Sequence, residues 1–257
     1  MQSDVQPVSD SNISTKSNLS RDWPPSFLRL VLGALFAAGL GCIVLKTMHP
    51  IFVVPVEIAT FPEQSPVWLY ERLDNAHYEV DSKNFSIVFG VIGAIFGASC
   101  VVFSFGARSV YAIVVAIVGT ATLGCVGANL SNWMFHNLRE TSGTDLLIMG
   151  IALDGMRQTI LGYALLWGLI GLGVGLGIGA VRSVGKSLVA GISGLCGGVL
   201  GALLYTVLTA QLSIGTTMNR VFPTDIMSQA IWLVLFTVVI AVCIALGSGE
   251  KRRAKKA

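Results

Sequence analysis

Six long runs of apolar residues constrain the fold of this chain more than any other feature. Each run is about 19 to 23 residues long, and at a helical rise of 1.5 Å per residue it can cross a hydrocarbon layer roughly 30 Å thick. Of the 257 residues, 53% are apolar and only 12% are charged, against roughly 25% charged in an ordinary soluble domain. The sequence therefore predicts an all-α, polytopic membrane protein whose first partner is the lipid bilayer.

The predicted spans divide the chain into three parts. Residues 1–23 are polar and are predicted to be a disordered cytoplasmic tail. Residues 24–248 are predicted to form a domain of six transmembrane helices, and residues 249–257 a basic cytoplasmic tail. The spans are expected at about 27–45, 85–105, 110–131, 159–181, 188–210 and 226–247.

The longest joint between predicted spans, residues 49–84, is expected to be an outer loop. Within it, Ser65-Pro66 supplies a helix cap followed by a first-turn proline. This pattern predicts a short helix at the membrane interface, with Trp68 and Tyr70 in the headgroup belt.

The distribution of positive charge predicts the orientation. If both termini face the cytoplasm, eleven of the seventeen Lys and Arg residues lie on the inner side. The short joints that contain Arg108 and residues 182–187 both carry this bias, which is the established determinant of topology. We therefore expect a multi-pass protein of a bacterial cytoplasmic (inner) membrane, with the N-terminus and the C-terminus in the cytoplasm.

Small residues recur four positions apart in three of the spans, a pattern typical of a glycine zipper. Residues four apart share one helix face, and small residues on such a face let the backbones of two helices approach closely in lipid. An alternative role for these faces is a sliding or oligomerising surface. The predicted helix-packing residues are Gly93 and Gly97 in the second span, Gly171, Gly175 and Gly179 in the fourth, and Gly194 and Gly198 in the fifth.

An ungapped shift of 78 positions lays the second span and its joint over the fourth span and its joint. This alignment predicts a parallel internal repeat of two helical hairpins, with the same register before and after the joint. Convergent glycine patterning is the alternative explanation. The aligned pairs include Phe89 with Trp167, Gly90 with Gly168, Gly93 with Gly171, Gly97 with Gly175, Ala112 with Ala190, and Gly119 with Gly197.

The sequence lacks the residues that an intramembrane enzyme needs. Residues 191–194, Gly-Ile-Ser-Gly, resemble the GxSG serine motif of the rhomboid proteases, which also have a six-helix core. A serine nucleophile requires a general base within hydrogen-bond reach, but the histidines are His49, His77 and His136, none of them in the last span. We therefore expect no catalytic residue and no enzyme. The spacing of His and acidic residues matches no metal site, and no cofactor or nucleic acid is expected.

The region from 160 to 247 combines several short motifs: Trp167-Gly168 before a glycine zipper, Arg182-Ser183, Gly185-Lys186-Ser187, and residues 197–201. Through these motifs it resembles a group of uncharacterised, glycine-rich, multi-spanning bacterial membrane proteins. The resemblance implies an integral membrane protein and supplies no activity or site.

These observations predict a structural or accessory membrane component that packs through small-residue helix faces. It would act as a homo-oligomer or with a membrane-protein partner. A small channel or secondary carrier for an uncharged solute is the alternative, because such a path needs no buried charge. An intramembrane enzyme ranks last.

Overall fold

The computed structural model describes residues 27–55, 67–106, 110–141, 147–148, 151–181, 183–212, 223 and 225–248. The predicted tails, 1–23 and 249–257, lie outside these residues. The described chain contains six helices, each long and apolar enough to span a membrane, which confirms the predicted all-α, polytopic fold. The helices are α1 (Phe27–Met48), α2 (Val67–Phe105), α3 (Val110–Thr141), α4 (Leu153–Ala180), α5 (Val184–Leu212) and α6 (Ile226–Gly247).

The helices form a closed ring in which each one packs against the next along the chain, and α6 packs against α1. Helix α2 also contacts α4, and α4 contacts α6, across the middle of the ring. Since the six helices cross in alternating directions, α1 begins and α6 ends at the same end of the bundle. We call that the tail end, and the opposite end, where α1 ends and α2 begins, the loop end.

Local sequence explains where several helices begin and end. Helix α2 ends at Gly106, whose φ of 72° is the left-handed conformation that glycine adopts readily. Helix α6 begins after Asp225, whose carboxylate accepts a hydrogen bond of 3.0 Å from the backbone N–H of Ser228. Two short strands, β1 (Leu147–Ile148) and β2 (Ile151–Ala152), pair antiparallel just before α4.

The prediction of a separate short helix before the second span is wrong. Residues 67–84 are instead the first part of α2, which runs for 39 residues without interruption. The reason is that this stretch contains neither glycine nor proline, so nothing breaks the helix before its apolar part begins at Phe85. At 1.5 Å per residue α2 is about 58 Å long, roughly twice the thickness of the hydrocarbon layer.

The two hairpins, α2 with α3 and α4 with α5, make matching contacts. A Cβ atom added to Gly93 would lie 2.5 Å from the carbonyl oxygen of Thr120. A Cβ atom added at the equivalent position in α4, Gly171, would overlap the carbonyl oxygen of Gly194. One turn further on, Gly97 faces the carbonyl oxygen of Ala116, and Gly175 faces that of Ala190. These paired contacts support the two-hairpin repeat.

The predicted register of the repeat is wrong beyond the joint. Helix α2 corresponds to α4 with the predicted shift of 78 positions, but α3 corresponds to α5 with a shift of 74. Ala190 therefore matches Ala116 rather than Ala112, and Gly198 matches Gly124 rather than Thr120. The second hairpin is four residues shorter around its turn. Because four residues are about one helical turn, the same helix faces still meet.

Candidate functional site

A cluster of six aromatic side chains fills the centre of the bundle. Four of the six helices contribute to it, and the Trp and Phe members are fully buried. This aromatic cluster consists of Phe89 from α2, Tyr163 and Trp167 from α4, Tyr205 from α5, and Trp232 and Phe236 from α6.

The rings of the aromatic cluster contact one another directly. Trp167 stacks on Phe236 at a centroid distance of 5.0 Å and meets Trp232 edge to face at 5.1 Å. Phe89 and Tyr163 contact Trp232 at 5.8 and 5.6 Å. Each such pair contributes about 0.5–1.5 kcal/mol beyond its packing, so the cluster joins α2, α4 and α6 where they converge.

The seven predicted helix-packing glycines all lie where two helices touch. A Cβ atom at any of them would come closer to the neighbouring helix than real Cβ atoms approach, so the backbones are in direct contact. Gly93 and Gly97 lie against α3, Gly171, Gly175 and Gly179 against α5, and Gly194 and Gly198 against α4.

A polar seam joins α2 and α3 in their halves nearest the loop end. The amide nitrogen of Asn129 donates to Ser86 Oγ at 2.6 Å, and its amide oxygen accepts from the hydroxyl of Ser82. The thiol of Cys125 donates to the carbonyl oxygen of Ser86 at 3.1 Å. Hydrogen bonds between membrane helices contribute about 0.6 kcal/mol each on average. The seam therefore aligns α2 with α3 and brings no ionised group into the span.

Beyond the seam, α2 and α3 continue together past the apolar part of the bundle. We call residues 67–84 of α2 and 132–141 of α3 the projection. Asn132 Nδ2 donates to the carbonyl oxygen of Tyr78 at 3.3 Å, and the ring of His136 stacks on that of Tyr78 at 4.6 Å. His136 Nδ1 also lies 3.6 Å from a carboxylate oxygen of Asp74. Side-chain contacts thus hold the two helices side by side outside the predicted spans 85–105 and 110–131.

Trp68 and Tyr70, which the sequence predicted in the headgroup belt, lie on the continuous helix α2 rather than on a separate short helix. Both are exposed, and Trp68 lies 17 residues before Phe85, or about 25 Å along the helix axis. The prediction assumed that a turn separates these residues from the second span, and the structure has no such turn. The two aromatic side chains instead occupy the tip of the projection.

Asn84 has a role that the sequence analysis missed. Its side chain is only 1% exposed, and its amide oxygen accepts hydrogen bonds from the backbone N–H groups of Ile51 and Phe52 at 3.1 and 2.8 Å. Its amide nitrogen donates to the carbonyl oxygen of Phe52 at 2.9 Å. The only signal in the sequence was an asparagine directly before an apolar run.

We call the hydrogen bonds between Asn84 and residues 51–52 the clamp. His49 lies beside the clamp, directly after the end of α1. Its ring stacks on Phe85 at 5.8 Å. Burial lowers the pKa of His49, and the opposing attraction of Asp81 is the weaker influence. The neutral imidazole is therefore favoured at this boundary.

Ser193, the serine of the rhomboid-like motif, uses its hydroxyl in a hydrogen bond within its own helix. Ser193 Oγ donates to the carbonyl oxygen of Val189, one turn earlier in α5, at 2.8 Å. The same hydroxyl lies against Gly247 of α6. His49, His77 and His136 all lie at the loop end or in the projection, and His136 is about 25 Å from Ser193 along the bundle. The described residues therefore bring no histidine to this serine.

Across the described ranges, no three His, Cys, Asp or Glu side chains come together as a group that could hold a metal ion. The five cysteines are free thiols. Charged contacts in this part of the chain include Glu79 with Lys83, 3.9 Å apart and well exposed on α2.

No protein-family model, curated protein or solved structure matches this chain. Functional conclusions therefore depend on the geometry of the bundle and on the chemistry of its surfaces.

Proposed function

We propose that this protein is a non-enzymatic structural or accessory component of a bacterial cytoplasmic membrane. The observation that carries the proposal is the filled centre of the bundle. The aromatic cluster lies where α2, α4 and α6 converge, and its Trp and Phe side chains are fully buried. A solute path along this axis would require these rings to leave their mutual contacts.

The packing around the cluster makes such a movement costly. Trp167 contacts both Trp232 and Phe236 at about 5 Å, and each aromatic pair is worth about 0.5–1.5 kcal/mol. The glycine contacts bring α4 and α5 into backbone contact beside it, which leaves little freedom for the helices to separate. A rigid, closed bundle fits a scaffold better than it fits a carrier that must alternate between two states.

The projection supplies a surface for a partner outside the membrane. It extends α2 by 18 residues, or about 27 Å, beyond Phe85, and it carries the exposed Trp68 and Tyr70 at its tip. Tyr and Trp are enriched at protein interfaces because one side chain offers both apolar area and a polar group. Under the positive-inside rule the loop end faces the outside, so the partner would be a second copy or another membrane protein on that side.

Osmotic swelling of liposomes tests the proposal against the channel alternative. Proteoliposomes containing the wild-type protein should swell in an uncharged solute no faster than protein-free liposomes. Trp167→Ala serves as the comparison, because it removes the ring that contacts both Trp232 and Phe236. Swelling by the correctly folded variant alone would support closure by the cluster. Rapid swelling by the wild type would favour the channel and contradict the proposal.

A serine-reactive fluorophosphonate probe tests the absence of hydrolase activity. We expect no labelling of the wild-type protein in membranes, because the hydroxyl of Ser193 is bonded to Val189 and has no histidine beside it in the described chain. Labelling that is lost in Ser193→Ala would contradict the non-enzymatic assignment.

Crosslinking tests the role of the projection. A photoreactive residue in place of Trp68 should capture protein in native membranes. The same residue in place of Val184, exposed at the tail end, is the control. Equal capture at both positions, or none at Trp68, would argue against a partner surface at the tip.

A further inference from the structure

The chain between α1 and Pro55 forms an apolar strap. Residues 49–55 follow the last residue of α1 and include no charged side chain. Three consecutive apolar residues of the strap are exposed: Ile51 at 40%, Phe52 at 43% and Val53 at 73%. The strap therefore turns apolar surface away from the bundle.

Two features place the strap at the boundary of the hydrocarbon layer. Asn84, which holds it, is the last residue before the apolar part of α2 begins at Phe85. Lys46, in the last turn of α1, is exposed and can extend its ammonium group toward lipid phosphates while its stem lies along apolar surface. The strap is thus at the level where acyl chains meet headgroups.

The clamp satisfies the backbone groups that lipid cannot. A backbone N–H or C=O facing hydrocarbon without a partner costs several kcal/mol. The amide of Asn84 accepts from the N–H groups of Ile51 and Phe52 and donates to the carbonyl oxygen of Phe52. These bonds turn the polar backbone toward α2 and leave the side chains on the opposite side.

The surface that continues into the strap is the lipid-facing stripe of α1. The exposed residues of that stripe recur at helical spacing and lead directly to residue 50. They are Leu32, Leu35, Phe36 and Ile43. From this continuity, we propose that residues 51–53 insert into the leaflet at the loop end and contact phospholipid acyl chains, which fixes the depth of the bundle from which the projection extends.

Photocrosslinking in a defined bilayer tests this inference. The full-length protein is prepared with p-benzoylphenylalanine in place of Val53 and placed in nanodiscs of phosphatidylethanolamine and phosphatidylglycerol. Mass spectrometry then measures the adducts. The same replacement of Ile43 is the positive control for lipid contact, and that of Asn75, exposed on the projection, is the negative control.

We expect lipid adducts at position 53 at a yield close to that at 43 and several-fold above that at 75. Asn84→Ala should reduce the yield at 53 and leave that at 43 unchanged, because only the strap loses its attachment. A yield at 53 as low as that at 75 would overturn the inference, as would adducts at 53 to a second protein chain in place of lipid. A yield at 53 that is unaffected by Asn84→Ala would overturn the role of the clamp.

Discussion

Replacing Gly175 with alanine should destabilise the protein although alanine is the better helix former. In an isolated helix this substitution gains about 1 kcal/mol. Here, however, the new Cβ would lie 2.7 Å from Gly191 Cα and would also overlap the carbonyl oxygen of Ala190. An ordinary contact begins near 3.4 Å, so α4 and α5 must separate by more than an ångström along their contact. Overpacking of this kind costs about 1–3 kcal/mol, so after the helix-propensity gain the net loss is up to about 2 kcal/mol.

Gly119→Ala is the matched control, because nothing lies within 4 Å of a Cβ at that position in α3. It should leave stability unchanged or raise it by up to about 1 kcal/mol. The assay is equilibrium unfolding in mixed micelles, followed by circular dichroism for both variants and the wild type. If Gly175→Ala is no less stable than Gly119→Ala, α4 and α5 do not make the backbone contact on which this reasoning depends.

Three further predictions concern the seam, the histidine at the boundary and the orientation. Asn129→Ala should lower stability by about 0.6–1.7 kcal/mol in the same assay, because it removes hydrogen bonds between α2 and α3. The control, Asn137→Ala, removes a hydrogen bond within α3 and should lower stability less. Equal losses in the two variants would refute a special role for the seam. Because burial lowers the pKa of His49 from 6.5, the stability it contributes is complete above pH 6.5 and is lost as the pH falls through the lowered value. The thermal midpoint should therefore drop as the pH falls below about 6.5, with a smaller drop in His49→Gln, and identical pH profiles would contradict this. An alkaline phosphatase fusion after Ala257 should be inactive, since we expect the C-terminus in the cytoplasm; activity there would reverse the orientation.

The spans could be predicted because crossing a bilayer is a local property. The predicted last span, residues 226–247, coincides with the bounds of α6. Run length and charge suffice for such predictions, since every backbone group of a spanning helix is paired within its own segment. Residues 67–84 were misjudged for a related reason: their polarity indicated a loop, but polarity does not end a helix that lacks glycine and proline.

Contacts between helices were predicted only in part. Four-residue spacing identified the faces of Gly93 and Gly175, because spacing defines a face. It did not identify the atoms on the other side. The matching of Ala190 to Ala116 depends on how many residues the turn of each hairpin contains. The periodicity of the sequence does not indicate that number. The aromatic cluster was missed because its six rings come from helices far apart in sequence.

Hydrophobic length and residue spacing act within one segment, so the sequence alone was enough to predict six helices long and apolar enough to span a membrane and the small residues that line their faces. Three other features became visible only in the folded chain: the continuation of α2 beside α3 before Phe85, the one-turn offset of the second hairpin, and the hydrogen bonds by which Asn84 holds the strap. These features arise from the fit between segments that are distant in the chain, and that fit is set by packing in three dimensions.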